Sequence, residues 1–79
     1  MYIYPRGYNY IDKVEYWYND GKFLFSIWCD AIHESRDELK YYIMHNGATI
    51  SILYKYDCES IEILNDERFG DYFKVVLKK

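Results

Sequence analysis

The segment Tyr16-Trp17-Tyr18-Asn19-Asp20-Gly21-Lys22-Phe23-Leu24-Phe25 sets the strongest limit on what this chain can fold into. Dense aromatic runs favour extended backbone, and Asp-Gly between two of them marks a hairpin. A two-residue type I′ loop at Asp20-Gly21 predicts Tyr18 opposite Phe23, Trp17 opposite Leu24 and Tyr16 opposite Phe25. Glu15 then faces Ser26, Val14 faces Ile27, and Lys13 faces Trp28. Side chains alternate along a strand, so Val14, Tyr16, Tyr18, Phe23, Phe25 and Ile27 share one uncharged face, the expected core face. Lys13, Glu15, Trp17, Leu24, Ser26 and Trp28 share the other.

A chain of 79 residues has room for one domain, residues 1–79, and its core must be efficient. With 22% aromatic residues, eleven of them Tyr, a few rings can do the work of many aliphatic side chains.

After Cys29 the pattern changes. Ser35-Arg36-Asp37-Glu38 reads as a capping box, Leu39, Tyr42 and Ile43 recur at helical spacing, and Asn46-Gly47 offers a left-handed stop. These signals predict a helix over roughly 35–46. Strands are predicted at 48–56, 61–64 and 72–77, with a loop over 65–71, and Tyr2-Ile3-Tyr4 is placed to pair with an edge before Pro5. The expected fold is therefore α+β: an antiparallel or mixed sheet of four to five strands, order ββαβββ, with one helix packed on one face. A single three-turn helix cannot cover such a sheet, so something else must shield the remainder.

The net charge is −3, with ten basic and thirteen acidic residues, which argues against a nucleic-acid binder. No apolar run approaches a membrane span and the first residues do not form a signal peptide, so a cytoplasmic protein without membrane attachment is expected. Cys29 and Cys58 are too few for a disulfide scaffold. Together with His33 and His45 they have zinc-ligand chemistry, but no tight Cys-x2-Cys knuckle accompanies them, and neither a metal nor any other cofactor is expected. Cys58 beside a histidine is the one candidate nucleophile. No nucleophile elbow, Gly-rich phosphate loop or catalytic constellation supports it, and the chain is read as non-enzymatic.

Two surfaces stand out. If a helix covers the Val14/Phe25/Ile27 face, Trp17, Leu24 and Trp28 point to the bare side, flanked by Lys13 and Glu15, as a partner-binding patch for a protein or for a second copy. Asp57, Glu59, Glu62, Asp66, Glu67 and Asp71 supply a candidate acidic surface. In size, in Tyr/Ile/Lys/Asn-rich composition and in its aromatic sheet face, the chain is similar to small phage and mobile-element proteins that inhibit host enzymes. That resemblance implies an anti-defence (anti-CRISPR-like) or antitoxin-like inhibitor acting by surface occlusion, and it designates no residues. The alternatives are a dimeric protein that holds a nucleotide-like ligand and a minimal cysteine/histidine enzyme or metalloprotein.

Overall fold

The segment expected to be helical is a β-hairpin. In the computed structural model, which describes residues 4–78, Tyr41 and Ile43 are buried while Tyr42 and Met44 lie on the opposite, part-exposed face of an extended strand. Asn46 (φ 52°) and Gly47 (φ 79°) both adopt left-handed backbone between His45 and Ala48, which pair with each other. Two consecutive positive φ values form a type I′ turn, the loop whose twist matches that of the flanking strands. The predicted capping box is a turn as well. Ser35 Oγ donates to Asp37 at 2.5 Å and accepts from the Lys40 N–H at 3.2 Å, while Glu38 takes φ 63°. Leu39 is 60% exposed, so it anchors no buried helical stripe.

The α+β expectation is thus overturned: the described residues form two four-stranded sheets, with a single 3-10 turn at Lys55–Asp57 and no α-helix. The strands are β1 (Tyr8–Tyr10), β2 (Lys13–Tyr18), β3 (Phe23–Trp28), β4 (Ala31–Glu34), β5 (Lys40–His45), β6 (Ala48–Tyr54), β7 (Cys58–Asp66) and β8 (Gly70–Leu77). The first sheet has the order β1-β4-β5-β6 and the second β3-β2-β8-β7. Neighbours are antiparallel except β2 and β8, which run parallel in the middle of the second sheet. Of the N-terminal strand expected at Tyr2-Ile3-Tyr4, the first two residues lie outside the described residues; Tyr4 is non-strand and packs against the core.

One ribbon joins the sheets. Tyr8 opposes His33 and Tyr10 opposes Ala31 in the first sheet, and Lys13 opposes Trp28 and Tyr16 opposes Phe25 in the second. Two residues on each arm, Ile11-Asp12 and Cys29-Asp30, separate these pairings without any change of offset. Across that corner the Ile11 N–H donates to Asp30 O (3.2 Å) and the Cys29 N–H to Asp12 O (3.1 Å). A single long hairpin therefore bends at its middle and supplies two strands to each sheet. Each arm is an edge in one sheet and an inner strand in the other.

The bend brings the two inner faces together. Ile32, Tyr41, Ile43 and Leu53 from the first sheet meet Val14, Ile61, Phe73 and Val75 from the second. The Tyr41 and Phe73 rings meet edge to face at 5.4 Å, a favoured aromatic geometry. The second sheet supplies the shielding that a single helix could not.

At one end of this core Glu34 is 8% exposed and accepts from Lys55 Nζ (2.5 Å), Arg6 Nε (3.2 Å) and the Gly7 N–H (3.2 Å). Burial opposes its ionisation, but the Lys55 hydrogen bond, the Gly7 N–H and the charges of Lys55 and Arg6 outweigh it and hold the carboxyl below its ordinary 4.5. A lowered folded pKa contributes stability that is present above the unfolded value and lost as pH falls through the folded one. Glu34→Gln is expected to cost about 1–3 kcal/mol at pH 7 and to flatten the acid limb of the stability profile. Urea denaturation between pH 7 and the acid transition measures both effects.

Candidate functional site

The outward face of the second sheet brings together four of the five residues of the predicted partner-binding patch, Lys13, Glu15, Trp17 and Trp28. Its cross-strand rows follow from the register. Trp28, Lys13, Tyr72 and Leu64 lie side by side, then Ser26, Glu15, Lys74 and Glu62, then Phe23, Trp17, Val76 and Ser60. Charge and aromatic area alternate here. The Lys13 ammonium lies 4.7 Å from the Phe69 ring centre, 4.9 Å from Tyr72 and 5.7 Å from Trp28, and pairs with Glu15 at 2.9 Å. Glu15 in turn accepts from the Trp17 indole N–H at 3.1 Å, and Lys74 sits 4.8 Å over the Trp17 ring. A lysine can be this enclosed because ring faces and one carboxylate replace its water.

The predicted patch is therefore rearranged. Trp28 is 57% exposed and stacks edge to face on Phe69. Trp17 is half-buried beneath Lys74. The side chains of Lys13 and Glu15 are largely covered, and together they act as a framework under the rings. Leu24 has left the face: it packs against the core.

The turn explains that change. The Gly21 N–H donates to Tyr18 O, the Tyr18 N–H donates to Lys22 O, and Gly21 takes φ +90° while Asp20 does not have positive φ. This is the longer loop that ends in a left-handed glycine, in place of the type I′ pair expected at Asp20-Gly21. Trp17 consequently pairs with Phe23, and a bulge between Tyr16 and Trp17 leaves Leu24 as the extra residue. Phe23 moves from the predicted core face to the outward one, with its ring 5.2 Å from Trp17. Phe25 keeps its predicted orientation, stacked on Tyr16 at 4.7 Å, but remains half-exposed because β3 is an edge. The Asn19-Asp20-Gly21 triplet was the available signal for this loop.

A second feature lies where the edges of the two sheets face each other without pairing. Between β3 and β6 is a cleft of about 490 Å3 with Tyr16, Phe25, Ile27 and Leu53 in its walls and Asp57 and Lys78 at its end. Such a volume and such walls are typical of small-molecule sites. Burial, followed by the nearby Cys58, pushes the Tyr16 phenol up to about 12 and a hydrogen bond with Ser51 only partly offsets it, so the hydroxyl stays neutral.

The acidic residues are spread over four consecutive segments. Asp57 lies in the 3-10 turn, Glu59, Glu62 and Asp66 on β7, Glu67 in the following turn and Asp71 on β8. Glu62 opposes Lys74, Asp66 accepts from the Arg68 N–H, and Asp71 accepts from Asn65. The cysteine/histidine set is likewise dispersed. Cys29 and Cys58 are buried; His33 lies near Tyr8 and Tyr42, while His45 pairs with Asp30. Among the described residues no group of three or more His, Cys, Asp or Glu is placed to hold a metal. Burial and the Asp30 charge push the Cys29 thiol up to about 11, and burial and Asp57 push Cys58 up to about 12. Both are protonated at neutral pH, the unreactive form.

No helix among the described residues is long and apolar enough to cross a membrane. Comparison with protein-family models, with curated proteins and with solved structures gives no match.

Proposed function

We propose that the protein is a non-enzymatic binding protein that inhibits a protein partner by occluding its surface, with the outward face of the second sheet as the contact. Support comes from Trp28: an indole 57% exposed, yet held in place by Phe69 and by Lys13 beneath it. A large apolar group already ordered before binding loses little entropy on contact, and Trp is prominent among residues that dominate binding energy. Phe23 and Phe69, both more than a third exposed, extend the surface to either side. An anti-defence or antitoxin-like role is the form of inhibition that the likeness to small phage proteins suggests.

Trp28→Ala and Phe69→Ala leave the core cluster intact, so both are expected to fold with unchanged circular dichroism. Each is expected to weaken capture of the partner by about 2 kcal/mol, roughly thirtyfold. Retained capture in folded variants would refute this face as the contact.

The cleft between β3 and β6 favours a second reading, a small-ligand binder. A nucleotide-like ligand would stack on Phe25 and Tyr54 and place its polar end toward Lys78. A ligand that binds only the folded state raises the melting temperature. A thermal-shift series with nucleotides supports this reading if a saturable rise disappears in Ile27→Trp, which fills the cleft, and removes it if no nucleotide shifts the transition.

A further inference from the structure

We infer that β3 is the seam of a homodimer, in which two copies related by a two-fold axis at Ser26 pair their β3 edges antiparallel and join two four-stranded sheets into one of eight strands. The inference rests on reading the second sheet as a binding surface, because it makes that face continuous across both copies.

The first ground is the edge itself. β3 has the sequence Phe-Leu-Phe-Ser-Ile-Trp, with no charge and no proline, and Phe23, Phe25 and Trp28 are 46%, 50% and 57% exposed. A long uncharged edge is a template for another strand unless something blunts it. β7 is blunted by Glu59, Glu62 and Asp66, and β1 is only three residues long.

The second ground is hydrogen-bond parity. The Cys29 N–H bonds to Asp12 O, and Lys22 O accepts from Tyr18. Bonding alternates along an antiparallel strand, and the bulge inserts one extra residue, Leu24, between these two ends; with it counted, both ends direct the backbone groups of Ser26 and Trp28 away from β2, toward the free edge. Ser26 can thus form a hydrogen-bonded pair with Ser26 of a second copy.

The third ground is self-complementarity in that register. Phe25 falls opposite Ile27 of the second copy on the inner face, covering the half-exposed ring. Trp28 comes abreast of Leu24 and Phe23. At each end Lys22, which makes no ion pair among the described residues, reaches the neighbourhood of the second copy's Asp30, whose side chain meets His45 and the Asn46 N–H and is still 52% exposed. The two-fold repeats this contact, so opposite charges meet twice. β6 is also an uncharged edge, but the residues abutting it, Gly47 and Lys55, offer no opposite pair.

Sedimentation equilibrium of the wild-type chain is expected to give twice the 9.7 kDa monomer mass. Ser26→Pro removes an N–H that faces the edge and not β2, and is expected to give a folded monomer. A hydrogen-bonded antiparallel pair has Cα atoms about 5.5 Å apart, within disulfide reach. Ser26→Cys is therefore expected to cross-link nearly completely between copies under mild oxidation, whereas Thr49→Cys, on β6, is not. A wild-type monomer, a dimer that survives Ser26→Pro, or equal cross-linking of the two cysteine variants would each overturn the inference. Partner capture by the Ser26→Pro monomer separates the two ideas: capture retained with dimerisation absent leaves the proposed binding face standing, and capture lost in a proven dimer carrying Phe69→Ala counts only for the face.

Discussion

The rest of the structure depends on one bent ribbon. The pairing that starts at Tyr8/His33 and ends at Tyr16/Phe25 passes from one sheet to the other through Ile11-Asp12 and Cys29-Asp30 with no slip. A shift of one residue anywhere along it would turn Val14 and Tyr16 outward, along with everything paired to them. The corner keeps its backbone satisfied through the Ile11–Asp30 and Cys29–Asp12 bonds, and the Asp12 N–H donates to Asp71 O. That last bond lies where β8 begins its parallel run beside β2. The most non-local pairing in the chain is thus tied to the bend. Once the ribbon is bent, β5 adds to β4 in one sheet and β8 to β2 in the other, and the two inner faces bury each other.

The outward face follows from the same register. Because Val14 and Tyr16 point inward, Lys13, Glu15 and Trp17 must point out, and β8 places Tyr72 and Lys74 beside them. Uncovered, this would be a plain aromatic surface. Threading Lys13 and Lys74 between rings and carboxylates interrupts the apolar area and packs against the rings, since each cation has a ring face against it. Trp28 and Phe23 rise clear of this layer, because β3 has no neighbour beyond it. The exposure of Trp28 and of the β3 edge is therefore the consequence of a single topological fact: the arm that is internal in the first sheet is terminal in the second.

Much of the ribbon was legible. The pairs from Lys13/Trp28 to Tyr16/Phe25 follow from alternation and a turn near Asp20-Gly21. The last pairs did not, because a left-handed glycine ends two different loops and the extra residue, Leu24, is apolar enough for either face. The missing helix has a similar cause. Asn46-Gly47 with left-handed backbone closes a helix or turns a hairpin with the same geometry, and a serine oxygen that accepts a backbone N–H serves a cap or a tight turn alike. Tyr41-Tyr42-Ile43, with aromatic and β-branched side chains, held the evidence for a strand. β4 has no comparable signal, because only Cys29-Asp30 separates it from β3 and the chain bends there without reversing. The outward aromatic face was half legible: Trp28 lies exposed as expected, whereas Phe23 and Phe69 reach it through a bulge and a loop that periodicity does not reveal.

Native-state hydrogen exchange measured residue by residue tests the bent ribbon most directly. If the ribbon couples the sheets, the Ile11 and Cys29 amides at the corner exchange with the same high opening free energy as the central amides of Val14 in one sheet and Ile32 in the other, all tracking global unfolding. A corner that exchanges fast, or one sheet that opens well before the other, would contradict the account.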